Sequence, residues 1–393
     1  MNFVTFIGSE FISSIGNGAY RVALNWTLVT RYGTVRALAI VQFLSLLFGA
    51  IVQMRSGALI DRYDGRRVLV VTNLVLAGIA GLLAFDVMMR PSAFSTGFAL
   101  VFVVLIGAVI ATVEPAFFSV VMRVRGKPDI DTANSWILGS YALSGIIGPV
   151  IGGVLIARHG FWLGFAADAV SFLGAAGLMA LVGLNPPVFD DNAVKTDEHA
   201  PWRWTWRTAT VRRIFTVEAF GNLVVTTFLI GIPFIAKDTD RAGGAIGLGI
   251  FYAAFYGGVF VSSALIPRVA QKLPRGVVAY VIPYAVVLGM LVTFYGHTWI
   301  FLLGGIFLAG FGLPGIDILT RAAILETVPE GLLGRITAVG SVVTTVSQLL
   351  AMVVVMMVNA FHSVWVIFAV AWLTVSTSLL FTRKTLPSGS AAF

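Results

Sequence analysis

Six ionisable residues, Glu10, Arg21, Glu114, Asp168, Glu218 and Asp317, stand inside long apolar runs, where their chemistry is conspicuous. If those runs cross a bilayer, each charge costs roughly 2.5–3.5 kcal/mol near the membrane centre, so each needs a partner, a proton or a ligand. Carboxyl groups in that setting suit the uptake and release of protons or the holding of cations. Glu10 and Glu114 fall at similar depth, about 8 Å from the midpoints of their runs at a helical rise of about 1.5 Å per residue. Glu218 sits at the matching depth in the second half of the chain, and Asp317 lies nearer an end. Arg21 shares a helix face with Glu10 but is about 16 Å along it, too far to pair. It is instead a candidate to neutralise Asp168. Asn17 and Asn222 extend this polar set, with Asn25, Gln42 and Gln348. Each of these side chains also has a structural reading, interhelical hydrogen bonding with no change of protonation.

Other chemistries lack their residues. Zero cysteines exclude disulfides, thiolate nucleophiles and Cys-ligated metals. The histidines at 159, 199, 297 and 362 fall in loops or at run ends without metal-ligand spacing, so no metal site is expected. Neither HExxH nor GxSxG occurs, which argues against an intramembrane enzyme, and no GxxxxGK[ST] loop offers ATP as a fuel. No cofactor is implied.

The elements that must position these residues follow from composition. Of 393 residues 58% are apolar and 11% charged, against about 25% charged in soluble domains. A water-soluble fold is excluded, and the expected solvent is lipid. A net charge of +8 is spread in short clusters, which does not make a nucleic-acid face. Apolar windows predict twelve helical spans, at 3–30, 34–57, 68–89, 97–122, 133–156, 161–183, 211–236, 244–267, 277–296, 298–321, 336–358 and 364–381. The runs are too long, and alternate too little, for barrel strands. The expected fold is all-α and integral to the membrane. With the N-terminus inside, clusters such as Arg62, Arg66, Arg67 and Arg203, Arg207, Arg212, Arg213 give the inner loops about threefold more Arg and Lys than the outer loops. Both termini are therefore expected in the cytoplasm, and no cleavable signal peptide is read at the N-terminus.

One long polar stretch, 184–210, divides the spans six and six. Its first part reads as a linker. Its second, with Trp202, Arg203, Trp204 and Trp206, reads as a segment lying along the membrane surface. The expected organisation is an N-terminal half at 1–183, the linker at 184–210, a C-terminal half at 211–381 and a cytoplasmic tail at 382–393. The halves echo each other at offsets of about 205 residues, which predicts a duplicated six-helix unit. Ala58-Leu-Ile-Asp-Arg62 matches Ala264-Leu-Ile-Pro-Arg268, Glu10 matches Glu218, and Glu114 matches Asp317.

Between spans two and three the chain reads Gly57-Ala-Leu-Ile-Asp61-Arg62-Tyr-Asp64-Gly65-Arg66-Arg67. Here Gly65 is expected to permit a tight turn, Asp61 to cap a helix or pair with Arg66, and Arg62 and Arg67 to reach carboxylates or phosphates. This loop resembles the signature loop of the major facilitator superfamily, with Asp64 where the common pattern has glycine. The acidic residue, with Val68-Leu69 after it, is similar to the branch holding macrolide-efflux and enterobactin-exporter-type proteins. Span five carries Ser144-Gly-Ile-Ile-Gly148-Pro149-Val-Ile-Gly152-Gly153, which resembles the superfamily's antiporter motif with Ser144 replacing its first glycine. Small residues at this spacing let helix backbones touch, and Pro149 is expected to bend the span.

The resemblance implies two six-helix bundles, a cavity lined by spans one, four, seven and ten, and Asp61 bridging to the second half to close the cytoplasmic side. It implies a proton-coupled antiporter of the bacterial inner membrane that exports amphipathic small molecules of the multidrug type as a monomer among membrane lipids. No nucleic-acid partner is expected from the scattered charge. A siderophore or metabolite exporter of the same fold, and an ion-independent lipid transporter, are the alternatives. Proton antiporters of the superfamily often place an arginine in span four; residues 97–122 contain none.

Overall fold

The computed structural model describes residues 2–90, 96–125, 130–183, 200–238, 243–270, 275–296, 298–328, 333–357 and 373. Among them there is no strand, and thirteen helices follow in order. They are α1 (Asn2–Tyr32), α2 (Val35–Arg62), α3 (Gly65–Met89), α4 (Thr96–Ile110), α5 (Val113–Arg125), α6 (Ile130–His159) and α7 (Phe161–Ala180). After these come α8 (Ala200–Arg207), α9 (Ala209–Asp238), α10 (Ala245–Ala270), α11 (Arg275–Tyr295), α12 (Trp299–Thr327) and α13 (Leu333–Met357). Long apolar runs become helices because lipid offers the backbone no hydrogen bonds, and a helix satisfies its N–H and C=O groups internally. Among the described residues seven helices are long and apolar enough to cross a membrane. The span expected at 364–381, the linker residues 184–199 and the tail 382–393 lie outside the described residues.

The fourth expected span is not one helix. It divides into α4 and α5 at Ala111-Thr112. Pro115 has no N–H to return to the carbonyl of Ala111, so the α-helical ladder is interrupted there. Thr112 fills the gap, bonding through both its N–H (3.0 Å) and its hydroxyl (2.8 Å) to the carbonyl of Val109. Pro149, by contrast, lies inside a continuous α6.

Chain contacts group the molecule into two compact units, 1–191 with 230–256, and 192–229 with 257–393. The division passes through α9 between Leu229 and Ile230 and through α10 between Tyr256 and Gly257. In the first unit α1 packs against α6 and α7, α3 against α7, and α2 against α4. Phe6, Leu69, Ala116, Val120 and Met179 form one core cluster there, and Leu76, Ile106 and Phe172 another. The outward faces are apolar as well: Leu82 and Phe85 on α3 and Val170 on α7 are exposed, as a lipid-facing surface requires. In the second unit α11 packs on α12 and α8 on α13, and Val211 and Phe215 of α9, Ile324 of α12 and Ile336 of α13 form a core cluster.

Glycine has conformational work at Gly33, whose φ of 64° lets the chain turn from α1 into α2 with its N–H on the carbonyl of Val29. Gly65, expected as a turn residue, is instead the buried first residue of α3 and is absent from the positive-φ glycines among the described residues. The helix cap before it is Asp64 rather than Asp61.

Candidate functional site

The short connection between α2 and α3 is held by one carboxylate. Asp64 Oδ1 accepts from the backbone N–H of Arg66 at 3.1 Å, capping α3, and from the guanidinium of Arg123 on α5 at 2.9 Å. The cap satisfies an N–H that the helix start leaves unpaired, and the ion pair ties that start to α5. Arg66 reaches back to the carbonyl of Val182, just past α7, at 2.9 Å, while Arg67 is exposed. Four helices, α2, α3, α5 and α7, thus meet at a single loop. Gly57, Asp61 and Arg62 are in the last turns of α2, and the side chains of Asp61 and Arg62 lie outside the described residues.

The small residues of α6 are read by what a side chain would strike. A β-carbon at Gly152 would stand 2.5 Å from Ala19 Cα, and one at Gly148 would fall against the carbonyl of Ile15 and 3.1 Å from Gly18 Cα. On α1, a β-carbon at Gly18 would stand 2.7 Å from Pro149 Cδ. Gly153 faces the start of α10 in the same way, 2.6 Å from the carbonyl oxygen of Ala245. Backbones touch here because no side chain intervenes. Ser144, buried at the first position of the motif, spends its hydroxyl on the carbonyl of Tyr141 at 2.9 Å.

The C-terminal half of α1 meets the N-terminal half of α10 through a two-rung polar ladder. Arg21 donates to the hydroxyl of Tyr256, and Asn25 donates to the hydroxyl of Tyr252 at 2.7 Å. Gln42 on α2 donates to Asn25 Oδ1 at 3.4 Å. The Arg21 guanidinium also lies 5.4 Å from the centroid of the Tyr256 ring, within cation–π range. Tyr256 sits over Gly145, where a β-carbon would come 2.5 Å from the ring, and Tyr141 meets it edge-on at 6.0 Å. Arg21 therefore does not neutralise Asp168, as the sequence suggested; its partner is a tyrosine 235 residues away.

Asp168 on α7 is completely buried, and neither carboxyl oxygen has a hydrogen-bond partner among the described residues. The hydroxyl of Tyr20 on α1 is likewise buried and unsatisfied, and its electrostatic neighbour is Asp168. Gly16 makes the room: a β-carbon there would stand 2.8 Å from Asp168 Oδ1. A buried carboxyl group without donors needs a proton or a cation to compensate its charge. Glu10 and Asn17 are half-buried on α1; beside Glu10, Ser9 donates to the carbonyl of Ala175 on α7 at 2.9 Å. Glu10 and Arg21 are not brought together.

In the second unit Glu218 and Asn222 lie on adjacent turns of α9, half-buried, with Asn222 donating to the carbonyl of Glu218 at 2.9 Å. From α13, Thr344 donates to Glu218 Oε1 at 3.2 Å and Gln348 to Asn222 Oδ1 at 3.3 Å. Glu114 is the second residue of α5, directly after the break, and Asp317 is in α12; both side chains lie outside the described residues. The sequence reading missed Tyr20, Tyr141 and Thr344. A tyrosine in an apolar span is a detectable signal, since its hydroxyl requires a partner. Thr344 carries none, because a threonine in a helix can satisfy itself on its own backbone.

Apolar helices long enough to cross a membrane, with carboxyl and hydroxyl groups buried between them, make a multi-pass membrane bundle, and the family match below makes it a transporter rather than an enzyme. A sequence model of the Major Facilitator Superfamily matches residues 6–352, and the chain belongs to that family. It is 26% identical over 291 residues to the enterobactin exporter EntS of Citrobacter koseri, covering 72% of this chain and 67% of that one. It is 25% identical over 170 residues to the staphyloferrin A transporter of Staphylococcus aureus, covering 42% of each. Among solved structures, a bacterial homologue of the iron transporter ferroportin in an inward-facing state superposes with a TM-score of 0.74 at 17% identity, covering 96% of this chain and 98% of that one. The peptide transporter POT in complex with sulfate also reaches 0.74, at 14% identity, covering 97% and 94%. These structures share its fold.

Proposed function

We propose that the chain is a secondary-active exporter of a small organic metabolite of the siderophore class, driven by proton exchange. It works by alternating access in the bacterial inner membrane, with both termini in the cytoplasm. The observation that carries the coupling is Asp168, a fully buried carboxyl group with no hydrogen-bond partner among the described residues, in a helix that crosses the membrane. Such a group is a place where a proton can be carried, and Tyr20 beside it offers a hydroxyl to exchange through. Glu10 and Glu218 are the further candidates for proton or substrate contact, with Asn17 and Asn222 lining the route and Glu114 and Asp317 at the corresponding positions of α5 and α12. Two relatives whose names give siderophores as cargo support the substrate class. An inward proton-motive force of about 180 mV supplies roughly 4 kcal/mol per charge, enough for a gradient near a thousandfold.

The loop at Asp64 and its ion pair with Arg123 serve as the cytoplasmic gate, and the α1–α6 glycine contact as the rigid spine of the first unit. The test uses purified protein in proteoliposomes with an imposed pH gradient and an internal pH dye. Catecholate and hydroxamate chelators are added alongside lipophilic cations of the multidrug type. Chelator-evoked proton flux that vanishes in Asp168→Asn supports the reading. Proton flux evoked by lipophilic cations alone favours multidrug antiport, and cargo movement without proton flux sinks the coupling.

A further inference from the structure

The cluster around Arg21 has more donors than acceptors. The guanidinium carries five N–H groups, and its hydrogen-bond partners among the described residues are neutral hydroxyls, those of Tyr256 and Tyr141. No salt bridge to Arg21 is found among the described residues. Tyr252 already accepts from Asn25, so its own O–H is left to donate; the acceptor oxygen of Asn25 is taken by Gln42. Tyr141 brings a further hydroxyl beside Arg21 and is half exposed, whereas Tyr252 and Tyr256 are buried. What the group lacks among the described residues is negative charge. A guanidinium drawn into an apolar bundle and held by neutral hydroxyls is an electrostatic debt that an incoming anion would settle. The rings set the rest of the chemistry: Tyr256 lies under the cation, and Tyr141 stands edge-on to it at 6.0 Å, so aromatic surface borders the guanidinium.

We propose that Arg21, with Tyr256, Tyr252 and Tyr141, is the binding site for the anionic oxygens of the cargo, so that the transported molecule is an aryl-bearing organic anion rather than a lipophilic cation. This rests on the exporter reading for the word cargo, and on the donor arrangement alone for the anion site. The guanidinium takes a carboxylate or phenolate in its fork, the tyrosine hydroxyls donate to the same oxygens, and the rings pack on the aryl group. Gly145 is a positioning residue, since a side chain there would displace the Tyr256 ring.

The test separates charge from shape by using salicylate and its neutral isostere salicylamide as probes. Binding to purified protein in detergent is measured by isothermal titration. The wild type is expected to prefer salicylate by at least tenfold. Arg21→Gln should bring the two probes to parity, Arg21→Lys should retain part of the preference, and Tyr256→Phe should reduce it severalfold. Each variant is checked for a monodisperse elution profile, and Tyr256→Phe, which removes one oxygen, keeps the test valid if Arg21→Gln fails to fold. Equal binding of both probes by the wild type, binding of neither, or a preference that survives both Arg21→Gln and Tyr256→Phe overturns the anion site. The exporter reading fails separately: anion binding that depends on Arg21, without movement of salicylate or of aryl chelators across proteoliposomes, leaves the site standing and removes the cargo.

Discussion

Asp64 offers the sharpest quantitative prediction, because one oxygen makes two bonds of different kinds. Asp64→Ala removes the cap on α3, about 1 kcal/mol, and the charge-assisted bond to Arg123, about 1–2 kcal/mol at this partial exposure. Both partners keep some contact with solvent, at 20% for Arg123 and 30% for Asp64, so the pair ranks above a surface bridge and below a buried one. The expected total is about 2–3 kcal/mol. Asp64→Asn keeps an oxygen for the Arg66 N–H and loses the charge, so it should cost about half as much. Unfolding by SDS titration, followed through the nine tryptophans, reads the difference. A double-mutant cycle with Arg123→Ala should return a coupling of about 1–2 kcal/mol. If Asn and Ala at position 64 cost the same and the cycle shows no coupling, neither bond holds the loop and the gate assignment fails with it.

Glycines in the first unit should separate by what lies opposite them. Gly148→Ala forces a methyl group against the Ile15 carbonyl and should cost about 1–3 kcal/mol, while Gly177→Ala on α7, with nothing within 4 Å, should be neutral or stabilise by up to about 1 kcal/mol in the same titration. Thr344→Val removes the donor to Glu218, and a cycle with Glu218→Gln should give a coupling near 0.6 kcal/mol, the average for such bonds between membrane helices; no coupling would mean the contact is incidental. Pro115→Ala restores an N–H facing the Ala111 carbonyl, and hydrogen exchange around residues 111–116 should slow about fivefold for a gain of about 1 kcal/mol. Unchanged exchange would place the cause of the break in Thr112.

Local sequence carried the information that lipid enforces. Span positions were legible because a long apolar run has no alternative to a helix, and the α6 motif was legible because its spacing is intrinsic to one helix face. The division of the fourth span could have been read from Pro115 but was masked by hydropathy, which does not count lost hydrogen bonds. The cap was legible only to within three residues: the same sequence permits either Asp61 or Asp64, and the choice depends on where α2 ends. Long-range pairings were not legible. Arg21 had two chemically reasonable partners, Asp168 nearby in the bundle and a tyrosine far along the chain, and only the packing of α1 on α10 selects the second. Asp168 was visible as a charge out of place, but its lack of a hydrogen-bond partner among the described residues is a property of neighbours and not of its own segment.

The ladder between α1 and α10 has a mechanical side. Arg21 and Asn25 are four residues apart on one helix, and Tyr252 and Tyr256 are four residues apart on the other, paired in antiparallel order. Both spacings are close to one helical turn, about 5.4 Å. A slip of one turn along the shared axis would present Arg21 to Tyr252, or Asn25 to Tyr256, and so recover a hydroxyl for one of the two donors. A slip of half a turn would recover none. The contact therefore behaves as a detent with evenly spaced notches, resisting small axial creep while leaving a full-turn step as the displacement it penalises least.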